Sequence, residues 1–389
     1  MLSVLHRARK SLALFVSVTA TLLMAACVPS AGPVSGGGGG GTVRVALLVP
    51  GGSGQASDEL LARSLQNAAR LAIADLGNTK IDLRVYNTAG QPGQAQAMAQ
   101  KAVAEGAQII LGPVFAQEAN AAGVAVASQG VNVLSFSNNT DIAGNNVFVL
   151  GPTFQNTARR LASYAVRNGK GKVMIVHDRN TAGNLGRAAI ERGVAAAGGS
   201  VVAIESYEFS QNGVTQAAPA IAARARSTGA NAVFLTADTA GALPLVSQLL
   251  ADNGLTPAAA QFIGLTRWDI PAATLALPGV QGGWFALPDP SLFAQYQSRY
   301  RAAFGEAAHP ISGLAYDGIA AIGALAKRSS TGAITKSDLT QGAGFVGVNG
   351  IFRLNVDGTN DRGLAIAQIR NNQMVIIDGA PRSFGGAGY

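Results

Sequence analysis

The hydrophobic residues of this chain fall into short, nearly continuous apolar runs that alternate with alanine-rich amphipathic stretches. Runs of this kind predict parallel strands that are buried on both faces of a sheet. The predicted strands form two series, at residues 43–50, 81–87, 107–113 and 131–137, and then at 172–178, 200–207, 232–238 and 261–266. Because helical stretches separate the strands, each series predicts a doubly wound α/β sheet.

The first stretch between two strands is predicted to be a helix over residues 58–76. Ser57 precedes it and is predicted to be its N-cap, and Asp58 and Glu59 suit the positive end of a helix. Apolar residues recur at helical spacing along this stretch. Those that line one face are Leu61, Leu65, Ala68, Ala72 and Leu76.

Two proline-containing stretches, 150–157 and 285–291, interrupt the alternation and are predicted to cross between lobes. After the second, residues 292–328 are predicted to be one long helical region, and an Asp357–Gly358 turn in the tail predicts antiparallel strands. Two α/β series that are joined by more than one crossing indicate a two-lobed protein with a cleft. Since ligands bind at the carboxyl ends of strands in open α/β sheets, the loops after the strands should hold the site.

The first 26 residues have the composition of a secretory signal. A basic start precedes an uncharged run of about 16 residues, which is shorter than the roughly 20 residues that a membrane-spanning helix needs. The string "LMAAC" resembles a bacterial lipobox, so residues 1–26 are predicted to be a lipoprotein signal peptide and Cys27 the lipidation site. The alternative is an ordinary secretory signal with an incidental cysteine. Residues 27–41, rich in glycine, are predicted to be a flexible tether.

Composition excludes several classes of function. The formal net charge is +8, and removal of Arg7, Arg9 and Lys10 leaves 26 basic against 21 acidic residues, which are scattered through a chain with 6% aromatic residues. We therefore predict no groove for a nucleic acid. Cys27 is the only cysteine, so we expect no disulfide, no thiolate metal site and no cysteine nucleophile.

Catalytic motifs are absent from the sequence or incomplete. Only His177 and His309 follow the signal, and no HExxH or CxxC motif occurs, so no metal and no cofactor are predicted. The glycines at 50–54 lack the lysine of a phosphate-binding loop, and there is no GxSxG motif. His177 and Asp178 are neighbours in a strand and point to opposite faces. We predict that the protein is not an enzyme.

Four segments together resemble the Leu/Ile/Val-binding group of periplasmic binding proteins. They are "LLVPGGSGQASDELLARSLQNAARLAI", "QIILGPVFAQEANAAGVAVASQGVNVLSFS", "VMIVHDRNTAGNLGRAAIERGVAAAGGSVV" and, in the tail, "GVNGIFRLNVDGTNDRGLAIAQI". The resemblance covers residues 42–378. It implies the type I periplasmic-binding-protein fold, in which two lobes, each with a mostly parallel doubly wound sheet, are joined by three crossovers. Lobe 1 is predicted to contain 42–151 and 287–345, and lobe 2 to contain 152–286 and 346–389.

The resemblance leaves two functions open. "VYNTAGQPGQAQAMAQKAV" and "LAYDGIAAIGALA" look most like penicillin-binding protein activators, lipoproteins that use this fold to stimulate a peptidoglycan synthase. The preferred hypothesis is therefore a lipid-anchored, non-catalytic periplasmic regulator of peptidoglycan synthesis that contacts a penicillin-binding protein. The alternative is the solute-binding subunit of an ABC transporter for amino acids, which would contact an ABC permease. Because Val28 stands where an inner-membrane lipoprotein often carries Asp, the outer membrane is favoured over the inner.

The resemblance also places a ligand site between the lobes. In amino-acid receptors of the family, hydroxyl groups follow the third strand and a ligand-facing tyrosine follows the first strand of the second series, whereas this chain has Phe115 and Ala182 there. A zwitterion needs donors and an anion, and here Asp238 would supply the anion for an amino-acid or other small polar ligand. The residues predicted to bind the ligand are Ser53, Phe115, Ala116, Gln117, Ser137, Asn138, Asn139, Ala182, Asp238 and Trp268.

Structural alternatives stand beside these assignments. Asn138 and Asn139 alternatively build a turn, because asparagine tolerates left-handed backbone geometry. Asp238 alternatively caps the next helix, and Trp268 alternatively belongs to the core or to a contact between the lobes. Phe115 either faces the cleft or plugs it, and a plugged cleft would favour the activator.

Overall fold

The computed structural model describes residues 41–328 and 333–385. The predicted signal peptide, Cys27 and all but the last residue of the predicted tether lie outside the described residues. No helix in the described ranges is long and apolar enough to cross a membrane.

The strands appear in chain order as follows. The first ten are β1 Val43–Val49, β2 Ile81–Asn87, β3 Ile109–Leu111, β4 Asn132–Ser135, β5 Val147–Val149, β6 Lys172–Asp178, β7 Ser200–Tyr207, β8 Ala232–Leu235, β9 Gln261–Gly264 and β10 Trp284–Leu287. The others are β11 Phe345–Gly347, β12 Gly350–Leu354, β13 Asn360–Arg362, β14 Ala365–Arg370 and β15 Gln373–Asp378.

Helices separate most of these strands. They are α1 Ala56–Asp75, α2 Pro92–Ala104, α3 Ala116–Val126, α4 Phe154–Arg167, α5 Thr181–Ala196, α6 Gln211–Thr228, α7 Leu243–Asp252, α8 Pro290–Phe304, α9 Gly313–Ala326 and α10 Lys336–Leu339. Short 3₁₀ helices span Ala127–Gln129, Thr140–Ile142, Ala272–Ala276 and Pro278–Val280.

The strands form two large sheets, as the two predicted series require. The first sheet is parallel throughout and has the order β2-β1-β3-β4-β5. The second has the order β15-β14-β10-β9-β8-β6-β7, in which β6 to β10 are parallel and β14 and β15 are antiparallel additions. A small antiparallel sheet, β11-β12-β13, completes the fold. The predicted α/β class with mostly parallel sheets is confirmed.

Each large sheet is buried on both faces, which explains why its strands are continuously apolar. Helices α1, α8 and α9 cover one face of the first sheet, and α2 and α3 cover the other. Helices α4 and α5 cover one face of the second sheet, and α6 and α7 cover the other. Helices α4 and α5 pack closely because Gly193 has no side chain, and a Cβ there would lie 2.9 Å from the Ala158 carbonyl carbon.

Several local predictions need correction. Helix α1 begins at Ala56 with Gln55 at its N-cap and no side-chain cap, so the predicted N-cap at Ser57 is wrong. The region 292–328 is two helices, α8 and α9, because Gly305 ends the first in a left-handed conformation. The stretch 285–291 is mostly regular, since it contains the end of β10 and the start of α8.

The third predicted lobe boundary, between 345 and 346, also lies elsewhere. Val348, Phe352 and Leu354 are at most 6% exposed and belong to the core of the first sheet. Their strands therefore pack with lobe 1, and the chain reaches the second sheet only between Arg362 and Ala365. The physical reason is burial, because β11 and β12 cover α9 with their apolar side chains.

Candidate ligand site between the two sheets

Three chain segments pass side by side between the two sheets, after β5, after β10 and after β13. Polar groups fix them to one another. Asn360 donates to the carbonyl oxygens of Val149 at 2.6 Å and Gly151 at 2.9 Å. Arg362 donates from Nε to the Leu150 carbonyl at 2.8 Å and from Nη2 to the same oxygen. The first and third segments are thereby held together at the point where the cleft ends.

A cavity of about 280 Å³, which we call the hinge pocket, opens at this point. It is lined from the first-sheet side, from the second-sheet side and from the crossing segments. Representative residues of the three groups are Asn138 and Leu314, Leu265 and Ile270, and Thr153 and Leu364. Because Asn138 follows β4 and Leu265 follows β9, the carboxyl ends of both sheets meet in one pocket, which is where open α/β sheets bind ligands.

The hinge pocket is mainly apolar and carries one cation. Arg267 donates from Nε to Asp269 Oδ1 at 2.6 Å and from Nη2 to the other oxygen, so the pair is bidentate. Side chains are 33% exposed for Arg267 and 11% for Asp269. Asp269 neutralises the guanidinium, and Ile270 beside it is 44% exposed. The pocket therefore suits a small ligand with an apolar body and few polar groups.

The predicted first-sheet residues mostly spend their polar groups on their own turns. Ser53 Oγ accepts a hydrogen bond from the Gln55 N–H at 3.1 Å. Ser137 is buried, and its Oγ accepts from the Asn139 N–H at 3.1 Å. Asn139 Oδ1 accepts from the Asp141 N–H at 2.9 Å and caps the 3₁₀ helix that follows. Asn139 thus builds a turn, and of the predicted residues only Asn138 lines the hinge pocket.

Phe115, Ala116 and Gln117 lie at the start of α3, at the carboxyl edge of the first sheet. Phe115 is the N-cap residue and its side chain is 42% exposed. Its ring lies over Gly90, because a Cβ on Gly90 would be 3.5 Å from Phe115 Cε2. Phe115 therefore packs against the loop after β2 and does not line the hinge pocket.

The predicted second-sheet residues lie at the opposite edge. Ala182 is exposed in the first turn of α5. Asp238 is exposed, and its Oδ1 accepts from the Gly241 N–H at 2.5 Å. The carboxylate stabilises the turn before α7 and does not cap that helix, whose N-cap residue is Ala242.

Trp268 does not bind a ligand, which corrects its assignment. It is fully buried in the core of the second sheet. Its indole fills a slot over Gly264 and Gly283, where any Cβ would collide with the ring. A side chain that packs on the sheet in this way cannot also line the cleft. The alternative assignment to the core is the one that the structure supports.

His177 and Asp178 have structural partners. His177 Nδ1 lies 3.0 Å from the Asp178 carbonyl oxygen. The Asp178 carboxylate accepts from the Tyr207 hydroxyl and from Thr236 Oγ1, the latter at 3.2 Å. Burial and the hydrogen bond to Asp178 raise the pKa of Tyr207, so its hydroxyl keeps its proton and continues to donate. Across the described residues, no three His, Cys, Asp or Glu side chains form a group suited to a metal ion.

The sequence analysis missed the second-sheet side of the pocket, Leu265, Arg267 and Ile270. The rule that ligands bind after strands would have indicated them, since they directly follow β9. Leu314 and Asn349 carried no such signal, because they reach the pocket only through the packing of α9 and β12.

The family assignment follows from a sequence profile. The profile described as periplasmic binding protein matches residues 42–373. The chain therefore belongs to the periplasmic binding protein family, within the Leu/Ile/Val-binding-like type I group that the sequence predicted. No curated protein sequence gives a significant match.

Solved structures share the fold. A putative branched-chain amino acid ABC transporter protein from Rhodospirillum rubrum superimposes with a TM-score of 0.72 at 18% identity, over 86% of this chain and 100% of that chain. A substrate-binding protein from Desulfitobacterium hafniense in complex with Leu gives 0.64 at 19% identity, over 87% and 100%. A solute-binding protein from Rhodopseudomonas palustris with 3,4-dihydroxybenzoic acid gives 0.58 at 19% identity, over 88% and 98%. At such identities the likeness establishes the fold.

Proposed function

We propose that this protein is the solute-binding subunit of an ABC transporter, which captures a small molecule between its lobes and delivers it to a permease. The hinge pocket carries this proposal, because the carboxyl ends of both sheets and the crossing segments line a single cavity. A ligand there touches both lobes, so its binding energy favours the closed arrangement. The names of structurally similar proteins, most of which are ABC transporter components, support the same reading.

The lining indicates the class of ligand. A pocket of about 280 Å³ is near the lower limit for small-molecule sites. Leu265, Ile270 and Leu314 suit an apolar body, and Asn138 and Thr153 offer hydrogen bonds to one or two polar groups. Branched-chain amino acids and small aromatic acids fit these requirements. The protein acts by binding and carries out no chemistry on its ligand.

The location follows from the family and from the sequence. A periplasmic binding protein works in the periplasm, and a lipid on Cys27 would hold it at a membrane surface. The tether of about 14 residues would let the lobes reach a partner, at roughly 5–6 Å times the square root of the residue number. Attachment to the outer membrane stays a prediction from Val28.

A specific observation keeps the activator as a second candidate. Ser53, Ser137, Asn139 and Asp238, the polar groups predicted to hold a zwitterion, all accept hydrogen bonds within their own turns. The cleft is correspondingly poor in free anchors for an amino acid. In this second function a lobe surface contacts a peptidoglycan synthase and the hinge pocket has no ligand.

A ligand screen with a blocked variant separates the two functions. We expect a branched-chain amino acid or a small aromatic acid to stabilise the purified protein, by about 2.7 kcal/mol at a hundredfold excess over Kd. Ile270→Trp should fill the hinge pocket and remove this stabilisation. Val124→Trp, at a position that is 72% exposed on α3, is the matched control and should keep it. No stabilisation by any solute, together with co-purification of a transglycosylase-transpeptidase, would favour the activator instead.

A further inference from the structure

Five residues at the carboxyl edge of the first sheet form a second feature that no function discussed so far uses. We call it the acidic niche. Its members are Asp58 in the first turn of α1, Thr88 and Gly90 after β2, and Phe115 and Glu118 at the start of α3. None of them lines the hinge pocket.

Gly90 is the floor of the acidic niche. Its φ is +68°, and a Cβ placed on it would lie 3.5 Å from Phe115 Cε2 and 3.8 Å from Asp58 Oδ2. An aromatic ring and a carboxylate therefore approach the same point in space. Phe115 is 42% exposed, so the niche can be reached from solvent.

Glu118 forms the wall of the niche and is unusual. It is fully buried, and neither of its carboxyl oxygens has a hydrogen-bond partner among the described residues. The Thr88 hydroxyl already donates to the Val49 carbonyl at 3.1 Å. A buried carboxylate without partners is costly, so a compensating group is expected.

The charges around Glu118 show what is missing. Burial raises the pKa of Glu118, and the negative charge of Asp58 adds to this rise, whereas the Thr88 hydroxyl and the Phe115 N–H oppose it. No lysine or arginine of the described ranges contributes. Asp58 itself forms no side-chain hydrogen bond or ion pair with another described residue. The niche therefore holds two acidic groups and no cation.

The chemistry that completes such a site is an ammonium group. An ammonium has three donors and no acceptor, which suits carboxyl oxygens that lack donors. It also binds to the face or edge region of an exposed aromatic ring when carboxylates lie nearby. A divalent metal would need about six oxygen ligands, more than the niche supplies.

We propose that the acidic niche binds the ammonium group of a small organic ligand, at a site separate from the hinge pocket. Asp58 and Glu118 accept its N–H groups, and Phe115 covers it. When the cation enters, it stabilises the ionised form of Glu118, whose proton leaves to the buffer. The proposal does not depend on which ligand the hinge pocket takes.

Matched probes test the proposal on the full-length protein. They are 3-methylbutan-1-amine, its neutral analogue 3-methylbutan-1-ol and the anion 4-methylpentanoate, titrated by calorimetry near neutral pH in two buffers of different ionisation enthalpy. The amine should bind, release a proton and bind about tenfold more tightly than either analogue. A signal of equal size with sodium or potassium chloride would mean a simple cation site and would overturn the proposal.

Variants assign the binding to the niche. Asp58→Asn should weaken the amine about tenfold, and Phe115→Leu about threefold. Glu118→Gln should abolish the proton release, and because it replaces a protonated carboxyl with an amide it should leave the fold intact. Asp141→Asn removes another acid from the same edge and should change nothing. Amine affinity that survives Asp58→Asn, or proton release that survives Glu118→Gln, would refute the niche as the site.

Discussion

The buried ion pair between Arg362 and Asp317 should be the most sensitive point of the hinge. The two side chains are 2% and 0% exposed, and Arg362 Nη1 lies 3.2 Å from Asp317 Oδ2. Replacement of Arg362 by Met keeps the length of the side chain and removes its charge. The variant would leave a carboxylate in the interior without a cation and would remove the hydrogen bonds from Arg362 to the Leu150 carbonyl.

The size of the effect follows from burial. Breaking a buried pair by removing one partner lowers the free energy of unfolding by about 3–5 kcal/mol, because an uncompensated charge remains. Asp317 keeps hydrogen bonds from the Val348 N–H at 2.7 Å and the Asn349 side chain at 3.0 Å, which place the loss toward the lower part of that range. Burial also raises the pKa of Asp317. The loss in Arg362→Met should therefore grow as pH rises above the ordinary carboxyl pKa of about 4.

Urea denaturation at pH 7 measures the loss, and a second substitution tests its cause. Adding Asp317→Asn to Arg362→Met removes the uncompensated charge and should restore part of the stability. The control is Arg187→Met, which breaks an ion pair to Glu191 whose side chains are both 35% exposed. That variant should lose less than about 1 kcal/mol. A loss below about 1 kcal/mol in Arg362→Met, or a double variant weaker than the single one, would refute the reasoning.

Three further predictions concern stability. Trp268→Ala should lower the free energy of unfolding by about 3–5 kcal/mol in urea while the affinity for a hinge-pocket ligand stays unchanged, since the indole lies in the core. Glu118 has a raised pKa in the folded protein, so wild-type stability should fall as pH rises above about 4.3, and thermal unfolding of Glu118→Gln should lack this fall. Burial lowers the pKa of His309, so stability should decrease as pH falls below about 6.5, and His309→Gln should flatten that part of the profile.

The long apolar strands were predictable from sequence because burial on both faces leaves a continuous hydrophobic run. The predicted β3 was too long at both ends, and at its carboxyl end Gly112 and Pro113 continue the apolar run without pairing as strand. Strand β5 was not predicted because it is a three-residue strand. Strand β10 is followed by Pro288, and its carboxyl-terminal half was assigned to a crossing segment.

Which lobe the tail joins could not be predicted from its pattern. Alternation in β12 shows that one face is buried but not against which sheet, and Phe352 and Leu354 pack against the first one. Trp268 presents the same difficulty at the site. Its slot is made by Gly264 and by Gly283, far along the chain, and only the folded sheet brings the two together. The hinge pocket likewise joins Asn138, Leu265 and Leu314 from separate parts of the sequence.

The central claim is that the lobes close on a ligand in the hinge pocket, and a distance across the cleft tests it most directly. Gln117 and Leu185 are exposed at the carboxyl edges of the two sheets and can each carry a spin label after substitution by cysteine in a Cys27→Ser background. We predict that a saturating ligand from the screen shortens the distance between the labels and that Ile270→Trp abolishes the change. An unchanged distance at saturation, or an equal shortening in Ile270→Trp, would contradict the claim.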